Sequence, residues 1–115
     1  MLSAERAFNR LETYVPDSAQ VFLEQHVLQD AILLQIFQIG ENLSQLRSRF
    51  PEPYAKHAPE FWDEIIGFRN TIAHGYERVR IHEVGGYLVE DLEPLGSSLR
   101  VAITDSWFES SDEMP

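Results

Sequence analysis

Apolar side chains recur at helical spacing along most of the chain, and no stretch alternates in the manner of a strand. In residues 2–15, Phe8, Leu11 and Val15 fall on one side with Arg6, Arg10 and Glu12 outside, which predicts a first helix. Pro16-Asp17-Ser18 ends it, and Asp17 or Ser18 can cap the next helical segment. A short helical turn over residues 21–24 leads into a long helix from about His26 to about Arg49, uninterrupted by proline. Residues 31–39 of this helix are apolar nearly all round. A helix apolar on every face is buried on every face, and in a small domain that asks for the core on one side and a partner subunit on another. Gly40, inside the same helix, costs about 1 kcal/mol relative to alanine and so predicts a close helix approach.

Phe50-Pro51-Glu52-Pro53 breaks the pattern, and the stretch as far as Pro59 reads as loop. Pro59-Glu60-Phe61-Trp62 opens another helix, with Glu60, Asp63 and Glu64 in its first turns where the helix dipole favours acids. Trp62, Ile65, Ile66, Arg69 and Ala73 share one side of it, and Gly75 is suited to stop it just after His74. After a linker over residues 77–80, a last helix is predicted from about residue 82 to 105. Its apolar face carries Val84, Leu88, Leu92, Leu95, Leu99 and Ile103; Gly85-Gly86 weakens its first turn and Pro94 bends it. The sum is an all-α, up-and-down bundle of four main helices plus a short extra helix. Residues 1–108 form one domain, and 109–115 an acidic, disordered tail.

Composition narrows the setting. At 115 residues and 43% hydrophobic content the chain suits a single globular domain. It has no cysteine, which excludes disulfides and thiolate metal sites and fits a reducing cytoplasm. Neither a signal peptide nor a membrane-spanning stretch is legible, so a cytoplasmic location is expected. The net charge of −10 argues against a long nucleic-acid groove, but it is unevenly spread. Residues 83–115 hold eight acids against Arg100 alone, a balance of −7. Within residues 69–82 the sign reverses: Arg69, Arg78 and Arg80 face only Glu77, with His74 and His82 beside them. A small basic patch on an acidic body suits contact with one or two phosphates.

The run Arg69-Asn70-Thr71-Ile72-Ala73-His74-Gly75-Tyr76 lies in that patch. Arginine carries a permanent charge on a planar donor fork that matches a phosphate. Histidine both accepts and donates a proton near neutral pH. Together they can cleave a phosphodiester without a metal or other cofactor: His74 takes the proton from a ribose 2′-hydroxyl and Arg69 stabilises charge on the phosphorane. Asn70 and His74, four apart, share a helix face, so Asn70 can orient the imidazole or a phosphate. Arg69 and His74, five apart, lie roughly 140° around the axis and do not converge on one helix. Two copies meeting about a two-fold axis would let Arg69 and His74 of both line one cleft. An Arg-x4-His pair is also a common chance occurrence: Arg69 could equally be ion-paired with Glu64 or Asp63, His74 a helix-terminal residue, and Tyr76 a packing residue.

Four landmarks occur in order. They are Leu28-Gln29-Asp30-Ala31 with Ile39-Gly40-Glu41-Asn42; Trp62-Asp63-Glu64-Ile65-Ile66-Gly67-Phe68; Arg69-Asn70 with His74 and Tyr76; and Val89-Glu90-Asp91-Leu92-Glu93-Pro94-Leu95. With these the chain resembles the HepT-like toxins of the HEPN superfamily over about residues 5–104. The resemblance implies a homodimeric, metal-independent endoribonuclease with active sites at the dimer interface, Arg69 and His74 catalytic and Asn70 supporting. It also implies neutralisation by a minimal nucleotidyltransferase antitoxin that transfers AMP to Tyr76. Glu41, on the neighbouring helix, could pair with Arg69 or be purely structural. Gly85-Gly86 departs from the bulky residues that usually open the family's last helix. Two other readings stand beside this one: a non-catalytic nucleotide- or substrate-binding partner of a nucleotidyltransferase, favoured by the −10 charge, and a plain dimerisation scaffold.

Overall fold

The computed structural model describes residues 2–14, 19–75, 79–80, 84 and 92–108. Its helices are α1 (Leu2–Tyr14), α2 (Ala19–Glu24), α3 (His26–Arg49), α4 (Pro51–His57), α5 (Glu60–His74) and α6 (Leu92–Thr104). The described residues contain no strand, so the fold is all-α. At 24 residues α3 is the axis of the molecule; α1 and α5 pack along it, α2 and α4 meet it, and α6 lies against α1. None of these helices is long and apolar enough to cross a membrane.

The hydrophobic spacing places the core. Ala4, Ala7, Phe8 and Leu11 are buried on α1 at positions three and four apart, and Ile32, Leu33, Ile39 and Leu43 meet them from α3. Trp62, the largest fully buried side chain, is ringed by Tyr54, Trp107 and Phe108, with ring centroids 5.9, 5.9 and 6.1 Å away. Its Nε1–H donates to Ser98 Oγ at 2.9 Å, which satisfies the one polar atom that burial would otherwise strand.

Two expectations change. Residues 51–57 are helix, not loop: Pro51 and Pro53 are the first and third residues of α4. A helix start leaves its first four N–H groups without intrahelical partners, so a missing N–H there costs nothing. Phe50 ends α3 and begins α4, its N–H donating to Leu46 O at 2.8 Å while its carbonyl accepts from Tyr54 N at 3.0 Å. Second, α5 buries Trp62, Ile65, Ile66 and Ile72, whereas Ala73, expected on that side, is exposed. The apolar middle of α3 keeps an uncovered side within one chain, in line with the two-sided burial expected of it: Leu34 is 47% exposed, and nearer the start of α3 Val27 is 84% exposed. Of the last predicted helix, Leu92–Thr104 is described, with Pro94 in its first turn, and Leu95 and Leu99 are buried as expected. Leu88 and Gly85-Gly86 lie outside the described residues, as do residues 109–115.

The short α4 has a use in positioning α5. Its buried Tyr54 donates from Oη to Asp63 Oδ1 at 2.8 Å, and Arg47 Nη1 donates to the same oxygen at 3.1 Å. Burial, followed by the Asp63 hydrogen bond and charge, pushes the Tyr54 phenol far above its ordinary range, so it stays a donor. Asp63 is therefore held by α3 and α4, which leaves Arg69, further along α5, without it as a partner.

Candidate active site

Arg69 sits where α5 passes close over α3. The crossing is set by Gly40: a Cβ there would lie 2.5 Å from Arg69 Cβ and 3.1 Å from Ile65 O. The close approach expected from Gly40 is thus made, and it is made against the arginine of the basic run. The guanidinium reaches over α3 into a fixed setting. Nη2 and Nε donate to Glu41 Oε2 at 2.7 and 3.2 Å, and Nη1 donates to Asn70 Oδ1 at 2.7 Å. Phe37 lies beneath, with Arg69 Cζ 5.4 Å from the ring centroid, a cation–π contact.

Guanidinium carries five N–H donors. Glu41 and Asn70 engage one on each nitrogen, which among the described residues leaves a donor on Nη1 and a donor on Nη2. The Arg69 side chain is 27% exposed and that of Glu41 37%. The pair is therefore partly hydrated, and its chief effect is orientation, because half-exposed ion pairs stabilise little. Of the pairings open to Arg69, the one with Glu41 is formed, and Asp63 is held by Arg47 and Tyr54 instead.

His74 is the last residue of α5 and is exposed. Gly75 follows with φ 142°, ψ 139°, a conformation that side chains beyond glycine rarely adopt, and its N–H donates to Ile72 O at 3.1 Å. The helix stops at Gly75, as expected. α5 runs unbroken from Arg69 to His74, so the two point roughly 140° apart around its axis. No hydrogen bond links His74 to Arg69 or Asn70. Asn70 thus does not meet His74 across one helical turn; its carbonyl oxygen is taken by Arg69 instead. Tyr76, Arg78 and His82 lie outside the described residues, and Arg80 is exposed.

The structure brings Arg69, Asn70 and Glu41 together and leaves His74 without a hydrogen bond to any of them, roughly 140° from Arg69 around α5. Phe37 belongs to the site and was not among the residues expected there. Its signal was its spacing on α3, three residues before Gly40 and four before Glu41, which places it on the face that meets Arg69. Chemically the arrangement offers an oriented cation with two open donors and, on another side of the same helix, a solvent-facing proton carrier.

No solved structure matches the chain significantly. A family model described as "Ribonuclease HepT-like" matches residues 4–102, which spans α1 to α6 and includes Glu41, Arg69, Asn70, His74 and Tyr76. That match covers most of the chain, and the chain belongs to the HepT-like ribonuclease family.

Proposed function

We propose that this protein is a toxin-type endoribonuclease that works as a homodimer, without a metal, from a cleft to which both copies contribute. What carries the reading is the state of Arg69: its guanidinium is oriented by Glu41 and Asn70 yet keeps a donor on each Nη, in a chain of a ribonuclease family. His74 as a neutral imidazole removes the 2′-hydroxyl proton, and the freed 2′-oxygen attacks phosphorus. Arg69 stabilises the charge on the phosphorane oxygens. The 5′-oxygen leaves as it takes a proton from water, the His74 imidazolium returns its proton to solvent, and a 2′,3′-cyclic phosphate remains.

Support for the shared cleft comes from the divergence of Arg69 and His74 on α5 and from uncovered apolar surface. Val27, Leu34 and Glu41 succeed one another at intervals of seven on α3, so exposed Leu34 and Val27 line the face that carries Arg69's partner. A subunit-mixing experiment tests this. Arg69→Ala and His74→Ala chains, each inactive alone, are co-refolded and assayed together. Random assortment makes about half the dimers mixed, each with one intact site of two, so about a quarter of wild-type activity returns. If Arg69 and His74 act within one chain, the mixture stays inactive.

Regulation is inferred from the family resemblance. A nucleotidyltransferase antitoxin would direct the Tyr76 phenol onto the α-phosphorus of ATP, forming a Tyr–AMP ester and releasing pyrophosphate and the phenolic proton. A phosphodiester and an adenosine two residues from His74 would compete with RNA for the donors of Arg69. Incubation with ATP and the antitoxin is expected to add the mass of AMP and suppress cleavage. Addition that persists in Tyr76→Phe would move the modification elsewhere. The −10 net charge favours a second reading, a non-catalytic nucleotide-binding partner of such a nucleotidyltransferase. In that case nucleotide binds and RNA is never cut.

A further inference from the structure

A groove between α1 and α3 lies outside the site described above. It is open, about 370 Å³ in volume, and lined by Ser3, Arg6, Ala7, Asn9, Arg10 and Gln38. Arg6 and Arg10 are exposed and one helical turn apart, which puts both cations on one edge of the groove. No carboxylate lines it among the described residues, and neither arginine has an ion-pair partner there, whereas Arg47 and Arg69 are each held by an acid. In a chain of net charge −10 such a cationic edge stands apart from its surroundings.

The lining also limits the ligand. Apart from Ala7 it is polar, with the hydroxyl of Ser3 and the amides of Asn9 and Gln38 as neutral hydrogen-bonding groups. Among the described residues no aromatic face on which a base could stack lines it, so contact falls to the backbone of a nucleic acid rather than to its sequence. Position then links the groove to Arg69. Gln38 and Glu41 are three apart on α3 and so neighbours on its surface, and Glu41 is the carboxylate that holds Arg69. Gln38 also adjoins Phe37, over which the Arg69 guanidinium lies. The groove therefore opens about one helical turn along α3 from Glu41, the carboxylate that holds Arg69.

Resting on the ribonuclease reading, we infer that this groove holds the phosphodiester backbone of single-stranded RNA next to the bond being cut. Arg6 and Arg10 each take a phosphate, and Gln38 carries the strand across α3 towards Arg69. The contact is independent of sequence and depends on salt, because each phosphate neutralised by an arginine releases condensed counterions.

The test uses the full chain with His74→Ala, which removes cleavage, and a labelled single-stranded RNA oligonucleotide followed by fluorescence anisotropy across a salt series. Adding Arg6→Ala and Arg10→Ala is expected to weaken binding at least ~10-fold at low salt. It should also flatten the slope of log K against log salt by roughly 1.4, two phosphates at about 0.7 each. Arg100→Ala, an exposed cation on α6, controls for net charge and should leave binding unchanged. Unchanged affinity in the double variant, an equal loss in Arg100→Ala, or arginine-dependent binding of polyglutamate without binding of RNA would each overturn the inference. Dinucleotide cleavage by the unmodified chain reads the ribonuclease activity separately. RNA bound through Arg6 and Arg10 with no cleavage keeps the groove and removes that activity; cleavage with binding indifferent to both arginines does the reverse.

Discussion

Replacing Arg69 or His74 by alanine is expected to remove RNA cleavage while the chain stays folded. Loss of a general acid–base costs roughly 10²–10⁴-fold, and loss of a donor to a developing oxyanion roughly 10²–10³-fold. Stability should hardly move. His74 is exposed at a helix end, and the Arg69–Glu41 pair is partly hydrated, so removing either is worth at most about 1 kcal/mol. Arg69→Lys is a sharper probe than alanine. Lysine keeps the charge but has no planar fork, so it cannot hold Glu41 and Asn70 and still present two donors to a phosphate. It should retain the fold and lose most of the activity. The checks are initial cleavage rates in EDTA alongside urea denaturation of each variant. Wild-type rates in the alanine variants would dismiss both residues from catalysis.

Two glycine-to-alanine substitutions should move stability in opposite directions. At Gly40 the added Cβ meets Arg69 Cβ at 2.5 Å and the Ile65 carbonyl at 3.1 Å. Neither atom is the free end of a flexible side chain, so α5 must back away from α3. Such overpacking costs typically about 1–3 kcal/mol, only partly offset by the roughly 1 kcal/mol gained in helix propensity. Because the shift acts on Arg69 itself, activity should fall by about 10²-fold, the usual consequence of a displacement near 1 Å. At Gly67, on α5, a new Cβ meets nothing within 4 Å of its own chain. There the propensity gain stands alone, and Gly67→Ala should raise stability by about 0.5–1 kcal/mol. Denaturation midpoints decide the matter. A stabilising Gly40→Ala would mean that the α3–α5 crossing is looser than the contact at Arg69 requires.

Features that depend on local chemistry were legible in the sequence. The bounds of α3, the start of α5 after Pro59 and its stop at Gly75 obey capping, proline and glycine rules that act within a few residues. Misreadings came where one residue type serves two purposes or where a partner lies far along the chain. Pro51 and Pro53 mark a break, yet they also suit the first turn of the next helix, and spacing alone does not separate the two. Ile72 and Ala73 adjoin on α5, and which of them turns inward is decided by the angle at which α5 crosses its neighbours. The site divides in the same way. Gly40 announced a close approach but not its target, 29 positions away in Arg69. The spacing of Asn70 pointed to His74 one turn on, whereas the Arg69 guanidinium folds back to take its carbonyl oxygen. Glu41 was one of several acids open to Arg69, and only the tertiary structure, with Asp63 held by Tyr54 and Arg47, chooses it.

This chain is expected to cut RNA by attack of the RNA's own 2′-hydroxyl, driven by protein side chains. Incubating the purified full chain with RNA in excess EDTA, and analysing the new ends, tests this most directly. Fragments ending in 2′,3′-cyclic phosphate and beginning with 5′-hydroxyl are the predicted result. Cleavage that stops in EDTA and returns with Mg²⁺, leaving 3′-hydroxyl and 5′-phosphate ends, would contradict it, and so would RNA left intact.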